Sequence, residues 1–352
     1  MYAPLLIRII MYIMAVIIPI LVIISEKRGH NYSEILSKWK SKFFLVINDT
    51  KSAKNELISL VSKYPESYIG HKMLAEIYEK EGGMRKAIDE YVKAIDCQKN
   101  DYDSYYKVAY LLYELGQKDR SETMLRNLLK KKPDHLQASI LFGDVLCEQE
   151  KFKEAINVYT DALRYSPNDY DLYYGLGMAY TRLNDFQNAK ICYEKAAEIN
   201  HELYYAKYYL GQISLLYRDI ESAEEYFTEC LYSNELEPSA YFELSKIYML
   251  KGERENAITF VNKAIELDIS YKKKADEEPI LIPIKPYIVI PKEEEIKSQV
   301  KRKINKKAKA NIEYLEKTYH VVENLNLREL GKQVELKRTK KENEKTIDNS
   351  IN

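Results

Sequence analysis

The amino-acid sequence predicts an all-α solenoid of six to seven helical hairpins, preceded by a single transmembrane helix and followed by a partly disordered tail. Two observations predict the solenoid. The first is a period of 34 residues that recurs without insertion or deletion, in six windows that begin at residues 68, 102, 136, 170, 204 and 238. The second is the scarcity of glycine and proline, with 11 and 10 copies among 352 residues, which disfavours a turn-rich β protein.

Small residues recur at two positions of each window. Position 8 carries Ala75, Ala109, Gly143, Gly177, Gly211 and Ser245. Position 20 carries Ala87, Ser121, Ala155, Ala189, Ala223 and Ala257. Side chains of this size let the two helices of one hairpin approach closely where they cross. A coiled coil would repeat apolar residues every seven positions, so the observed recurrence disfavours that fold.

Large residues are expected to fill the space beside each crossing. Position 7 carries Leu74, Val108, Phe142, Leu176, Leu210 and Leu244. Position 24 carries Tyr91, Leu125, Tyr159, Tyr193, Phe227 and Val261. Glycines near the middle of the windows mark turns between helices, and Pro133 and Pro167 mark turns between windows. Because one hairpin cannot bury its apolar face alone, neighbouring hairpins are expected to stack.

The pattern resembles that of the tetratricopeptide-repeat family, in which W-x2-L-G-x2-Y precedes A-x3-F-x2-A and P. The third window reads Phe142-Gly143, Ala155-x3-Tyr159-x2-Ala162 and Pro167. The fourth window reads Leu176-Gly177-x2-Tyr180 and Ala189-x3-Tyr193-x2-Ala196. The resemblance covers residues 68–271 and implies a module that binds other proteins.

The resemblance also implies where a partner would bind, because the first helix of each family hairpin lines a concave groove. Carried over to this chain, the groove residues are Tyr106, Tyr110, Tyr113, Tyr174, Met178, Arg182, Tyr205, Tyr208, Phe242 and Lys246. A groove rich in tyrosine suits an extended peptide or a partner helix. About half of these tyrosines could instead pack between hairpins, and we expect Tyr106, Tyr110 and Tyr174 to remain available to a partner.

The N-terminal residues predict a membrane anchor over residues 1–28. Residues 9–25 carry no charge, and at about 1.5 Å per residue they span about 26 Å, close to the hydrocarbon thickness of a bilayer. A cleavable signal peptide is the alternative, disfavoured because no small-x-small cleavage site follows. Five basic residues follow the span by residue 42, against Arg8 before it, which predicts a single-pass cell-membrane protein with cytoplasmic repeats. The layout resembles membrane-anchored bacterial repeat proteins that regulate envelope assembly, although those end in a four-cysteine metal module that this tail lacks.

Residues 29–67 are predicted to form a linker and a degenerate first repeat. Ala53, Leu57 and Leu60 keep the phase of the second helix, whereas Lys40 and Ser41 depart from the pattern of the first. Terminal repeats commonly depart from the consensus because one of their faces meets water.

Three further segments follow the six repeats. Residues 272–291 hold four prolines among aliphatic residues, which predicts an extended segment that covers the exposed core of the last repeat. Residues 292–332 are predicted to form a basic helical segment, with seven positive and no negative charges from Lys297 to Lys309. This basic run suits a solvated helix face, an anionic lipid surface or, least favoured, nucleic acid, since no aromatic stacking platform accompanies it. Residues 333–352 are predicted to be disordered.

No catalytic motif is found. The sequence lacks GxGxxG, GxxxxGK[ST], GxSxG and HExxH, and its five histidines are scattered, so we expect no enzyme, no cofactor and no metal site. Cys97, Cys147, Cys192 and Cys230 are widely spaced and are expected to be buried thiols in a reducing compartment.

The overall charge balance of 54 basic and 54 acidic residues hides an acidic repeat region, which carries 25 basic against 35 acidic residues. The sequence therefore predicts a protein-interaction scaffold or adaptor that binds peptide or helical segments of partners at the membrane. The alternative is a nucleic-acid-binding or anionic-surface-binding regulator that acts through the basic segment.

Overall fold

The computed structural model describes residues 32–47 and 49–289, in which every regular element is helical. The α-helices are α1 (Tyr32–Val46), α2 (Thr50–Lys63), α3 (Tyr68–Lys80), α4 (Met84–Cys97), α5 (Tyr102–Glu114), α6 (Lys118–Lys131), α7 (Leu136–Glu148), α8 (Phe152–Leu163), α9 (Tyr170–Arg182), α10 (Phe186–Ile199), α11 (Tyr204–Leu216), α12 (Ile220–Cys230), α13 (Glu237–Leu250), α14 (Arg254–Leu267) and α15 (Ser270–Glu277). A 3-10 helix (Pro279–Tyr287) follows them. The prediction of an all-α repeat solenoid is confirmed for these residues, and the chain divides into two compact units after Ala240.

The helices follow the 34-residue period closely. The first helix of each hairpin begins at position 1 in five windows, and α13 begins one residue before its window. The second helix begins at position 17 in all six windows. The starts of the helices therefore repeat with the same period as the small and large residues.

The turn inside each hairpin places position 15 in the left-handed region of backbone space. The residues there are Gly82, Gly116, Glu150, Asn184, Arg218 and Gly252, with φ between 58° and 80°. In the first of these turns the Gly83 N–H donates to the Tyr78 carbonyl at 2.8 Å, and the Gly82 N–H donates to the Glu79 carbonyl at 3.0 Å. This pair of bonds is the Schellman arrangement that ends a helix, and it requires the left-handed residue whether or not glycine supplies it.

Glycine at position 8 makes room for an aromatic ring. A Cβ atom on Gly143 would lie 2.2 Å from a ring carbon of Tyr159, and one on Gly177 would lie 2.6 Å from the ring of Tyr193. Each ring occupies position 24 of the same hairpin as the glycine that it contacts, and both rings are buried. The sequence predicted a close approach of two backbones at this position, but in these windows a backbone approaches a ring. Alanine or serine at position 20 is buried in all six windows.

The degenerate hairpin is present as α1 and α2. Ala53, Leu57 and Leu60 are buried, as their phase predicted. Ser41 is fully buried and its hydroxyl donates to the Ser37 carbonyl at 2.7 Å, so it serves as the small residue of this first helix. The Ser37 hydroxyl in turn donates to Glu56 of α2 at 2.7 Å, which fixes one face of α1 against α2.

In the second unit, the proline-rich segment is helical rather than extended. Its 3-10 helix is held by bonds such as that from the Leu281 N–H to the Glu278 carbonyl at 3.0 Å. Proline fits this conformation because its φ near −65° suits a 3-10 helix, and only its missing N–H is lost. The extended prediction for residues 272–291 is therefore wrong for residues 272–277 and 279–287, which lie in α15 and in this 3-10 helix.

The aliphatic side chains of this segment cover the core of the last repeat, as predicted. Leu281 and Ile284 are fully buried in one cluster with Val261 of α14. The side-chain amide of Asn262 accepts from the Val289 N–H at 2.9 Å. Arg254 donates to the Pro283 carbonyl. Polar contacts to the backbone and buried aliphatics thus hold the segment on α14.

Among the described residues, no helix has the length and apolar character that would let it cross a bilayer. The anchor predicted over residues 1–28, the basic segment 292–332 and the tail 333–352 lie outside the described residues, and these assignments stay predictions.

Candidate protein-binding face

In the first unit the first helices of consecutive hairpins contact each other directly, α5 with α7 and α7 with α9. Within residues 32–47 and 49–289, the second helices make no contact of comparable extent. We call the first-helix face the surface formed by positions 2, 5, 9, 12 and 13 of α3, α5, α7, α9 and α11. Eight of the ten predicted partner-binding residues lie on these helices, at those positions.

Two of the predicted residues, Tyr106 and Tyr110, form an aromatic group with His135. The rings of Tyr106 and His135 stack with their centroids 5.5 Å apart, and the two tyrosine rings lie 6.3 Å apart. Burial lowers the pKa of His135, so its ring is neutral at pH 7. Its Nδ1 atom accepts the Ala138 N–H at 3.3 Å and caps α7. Both tyrosines are half-buried, so they offer part of each ring to the face.

Tyr174 and Tyr208 belong to a cluster of rings between neighbouring hairpins. Tyr193 and Tyr209 stack with their centroids 5.1 Å apart, and the Tyr174 ring lies 5.8 Å from that of Tyr193. The Tyr208 ring lies 5.4 Å from that of Phe227. Burial raises the pKa of Tyr174. We expected the Tyr174 ring to be available to a partner. Part of this ring instead packs against other rings, and the residue is half-buried.

Tyr113 is part of a polar chain across two hairpins. Its hydroxyl donates to the carboxylate of Glu148, which also pairs with Lys118 at 2.8 Å. The Lys118 ammonium holds the pKa of Glu148 below its ordinary value. The hydroxyl of Tyr113 is therefore already hydrogen-bonded within the chain, at the surface, and its half-buried ring belongs to the face.

Two of the three remaining predicted residues of this unit have exposed side chains. Tyr205 is exposed over 43% of its surface, and its hydroxyl donates to Glu235 at 2.9 Å. Arg182 is exposed, and its guanidinium lies 5.1 Å from the centre of the Phe152 ring. Met178 is half-buried.

The last two predicted partner-binding residues, Phe242 and Lys246, lie in the second unit and differ in burial. Phe242 is only 7% exposed and packs against Tyr271 with ring centroids 5.3 Å apart, so it is a core residue. The assignment of Phe242 to an open groove is wrong because this ring fills the interior between α13 and α15. Lys246 is half-buried and pairs with Glu243 at 2.5 Å.

Sequence reasoning missed two carboxylates on the first-helix face. Asp144 occupies position 9 of its window and Asp171 occupies position 2 of the next. Although their side chains reach solvent, neighbouring protein atoms raise the pKa of both, and the charge of Asp169, followed by that of Asp144, raises the pKa of Asp171 further. The Tyr159 hydroxyl donates to Asp144 at 2.7 Å, but neither carboxylate forms an ion pair with a described residue.

The acidity of the face is general. Positions 2, 5, 9, 12 and 13 of the first five windows carry seven acidic and three basic residues. The three basic ones are Lys72, Lys80 and Arg182, and Lys72 is bound to Asp103 at 2.7 Å and to Asp101 at 3.2 Å. The excess of acidic residues in the repeat region would have predicted an acidic first-helix face if the charges had been assigned to helix faces.

The described residues contain no group of three or more His, Cys, Asp and Glu side chains that could hold a metal ion. The cysteines are reduced, but only Cys230 is buried, whereas Cys97 is exposed. The expectation of four buried thiols is therefore wrong for Cys97. Burial raises the pKa of Cys147 and of Cys192 to about 11, which disfavours their thiolates.

Comparison with known families agrees with this repeat architecture. A family described as TPR repeat matches residues 143–184, and one described as tetratricopeptide repeat matches residues 170–202 and 238–268. The family described as anaphase-promoting complex, cyclosome, subunit 3 matches residues 74–162.

Relatives and solved structures extend the comparison. The chain is 24% identical over 228 residues to a TPR repeat-containing protein of Methanocaldococcus jannaschii, a match that covers 59% of this chain and 39% of the relative. It is 23% identical over 252 residues to superkiller protein 3 of Schizosaccharomyces pombe, covering 68% of this chain and 18% of the relative. The chain therefore spans well under half the length of these curated relatives.

Among solved structures, the C-terminal part of a TPR repeat-containing protein from Cytophaga hutchinsonii is similar in fold. Its TM-score is 0.57 at 16% identity, and the match covers 68% of this chain and 98% of that one. The in-phase helices, the family matches and this likeness agree with one another, and the chain contains tetratricopeptide repeats.

Proposed function

We propose that the chain is a membrane-tethered adaptor whose first-helix face binds a basic segment of a partner protein. Proteins with tetratricopeptide repeats generally mediate protein–protein interactions, which supports the coarse part of this proposal. The observation that carries the finer part is the pair Asp144 and Asp171, two carboxylates with raised pKa values and no cation of the described chain beside them.

A cationic partner side chain suits this pair for a physical reason. The charge of Asp144 disfavours the charged form of Asp171, and an ammonium or guanidinium group placed beside them removes that penalty. The half-buried rings of Tyr106, Tyr110 and Tyr174 provide apolar surface along the same face for the aliphatic stems and neighbouring residues of the partner.

Selection of peptides from a random library by the full chain tests this proposal. We expect the selected peptides to carry Lys or Arg beside an aromatic or aliphatic residue. In the double variant Asp144→Asn with Asp171→Asn, affinity for these peptides should fall about tenfold or more, because charge-assisted hydrogen bonds contribute about 1.5–3 kcal/mol each.

A charge-matched control is available on the second helices. Asp89 of α4 and Asp161 of α8 are exposed, so Asp89→Asn with Asp161→Asn removes the same charge away from the face. Selected peptides without basic residues, or equal losses of affinity in the two double variants, would contradict the proposal.

The tether of this adaptor is the uncharged run of residues 9–25, with the repeats on the cytoplasmic side. Protease treatment of intact cells that express the full chain tests the orientation. The repeats should remain intact until the membrane is permeabilised, and their digestion in intact cells would place them outside.

A further inference from the structure

The outer face of α1 carries apolar side chains that no helix of residues 49–289 covers. Trp39 is exposed over 53% of its surface, Val46 over 83% and Ile47 over 44%. Trp39, Lys42 and Val46 stand at spacings of three and four residues, so they share one face of the helix. Large exposed apolar groups on one helix face are typical of a surface that meets another apolar phase.

The packing of the hairpin fixes the direction of this face. The opposite side of α1 is bound to α2 through the buried Ser41 and through the bond from Ser37 to Glu56. Trp39 and Val46 are thereby held outward, because α1 cannot rotate without breaking that contact.

Basic side chains accompany the apolar ones. Lys40 and Lys42 are exposed, and Lys38 is half-buried. Lys40 lies toward α2, where its ammonium is 4.0 Å from Glu56, whereas Lys42 forms no ion pair within the part of the chain that the structure describes. Tryptophan with lysine on one helix face is typical of helices that lie in the headgroup region of a bilayer.

The position of α1 in the chain agrees with such a surface. Its first residue, Tyr32, follows the end of the uncharged run at residue 25 by seven residues. A fully extended chain of that length reaches at most about 25 Å, so α1 begins near any bilayer that the run spans.

We propose that the outer face of α1 lies on an anionic bilayer surface, with Trp39 and Val46 among the headgroups and Lys38 and Lys42 against lipid phosphates. This inference rests on the proposed tether. It assigns to the degenerate hairpin a role that the other hairpins do not have, which is to hold the array against the lipid surface.

The fluorescence of Trp39 tests the proposal directly, because it is the single tryptophan of the chain and can be excited selectively among 32 tyrosines. The full chain is reconstituted into liposomes that contain anionic lipid and recovered by flotation. Brominated acyl chains then quench tryptophan according to its depth. We expect most of the Trp39 emission to be lost, most strongly with bromine near the headgroup end of the chain.

Two sets of variants sharpen the test. A chain with Trp39→Phe and Tyr232→Trp moves the reporter to a loop residue that is 79% exposed and five hairpins away, where emission should stay unquenched. Lys42→Glu and Val46→Asp should reduce quenching of Trp39 while leaving flotation and helical circular dichroism unchanged.

The outcomes separate this inference from the tether on which it rests. A chain that floats with liposomes while Trp39 stays unquenched overturns the lipid contact alone. If that unquenched emission is also shifted to shorter wavelength, the face is covered by protein instead. A chain that does not float overturns both the tether and the lipid contact.

Discussion

The ring of Tyr159 lies in the space that a side chain on Gly143 would occupy, 2.2 Å from the position of its Cβ atom. The same ring also lies close to Gly175, whose Cβ position is 2.6 Å from a ring carbon. Two glycines from consecutive first helices therefore hold one tyrosine whose hydroxyl reaches Asp144 on the first-helix face.

We expect Gly143→Ala to destabilise the chain by about 1–3 kcal/mol, since a methyl group there forces the buried ring to move. Urea denaturation followed by circular dichroism measures the change. The cost should shrink in a Tyr159→Leu background, which reproduces the pairing of Ala109 with Leu125 in the second window. Equal costs in both backgrounds would show that the ring is not the obstacle.

Glu150 and Arg218 adopt a left-handed backbone with φ of 61° and 62°, where the other turns use glycine or asparagine. Because a residue with a Cβ atom is strained there, Glu150→Gly and Arg218→Gly should each stabilise the chain by up to about 1 kcal/mol. Thermal and urea midpoints report the gain. Asn184→Gly should gain less since asparagine tolerates this conformation, and Gly82→Ala should lose stability.

The 3-10 helix of the second unit offers an adjacent pair of aliphatic residues in opposite environments. Leu281 is fully buried, whereas its neighbour Ile282 is 58% exposed. Leu281→Ala should cost about 2–5 kcal/mol, because it leaves a cavity in the core of the last repeat. Ile282→Ala serves as the control and should change the urea midpoint little. Similar losses for both variants would mean that the segment does not cover the core as described.

The raised pKa of Asp144 predicts a dependence of stability on pH. A carboxyl whose folded pKa is raised binds its proton more tightly in the folded state, so stability falls as pH rises from its ordinary pKa through the raised one. Asp144→Asn should therefore be more stable than the parent chain at neutral pH. That advantage should disappear in acid, where the carboxyl is protonated in both states. Denaturation of both chains at several pH values measures the difference.

The same carboxyl gives a pH signature to partner binding. A basic peptide stabilises the ionised form, so binding should release protons and weaken as the pH falls through the raised pKa. Calorimetry in buffers of different ionisation enthalpy counts the released protons. The Asp144→Asn with Asp171→Asn variant should release fewer, and an equal release from both chains would point to other groups.

The sequence specified the helices well because each hairpin is built from local, repeated contacts. The phase of Ala87 and its equivalents predicted the small buried residue of each second helix, and even the divergent Ser41 proved to be the small buried residue of its helix. The 3-10 helix was missed because proline density was interpreted as excluding every helix, whereas Pro283 and Pro286 lose only a donor there.

The binding face was harder to predict than the fold. Position numbers placed Tyr106 and Tyr174 on the correct helices, but they do not tell whether a ring packs on its neighbours or faces a partner. Tyr174 does both, and Phe242 at an equivalent position is buried by Tyr271. Asp144 acts on the pKa of Asp171 from a neighbouring hairpin, so no local pattern of residues predicts this interaction.

The 3-10 helix that packs on α14 also limits where further hairpins can be added to the array. Leu281 and Ile284 occupy the apolar side of α14 that an additional hairpin would need in order to stack there. New copies of the 34-residue unit are therefore easier to accommodate between existing hairpins, where each inherits a neighbour on both sides, than directly after α14. Growth by internal duplication would leave the covered side of α14 in the second unit unchanged.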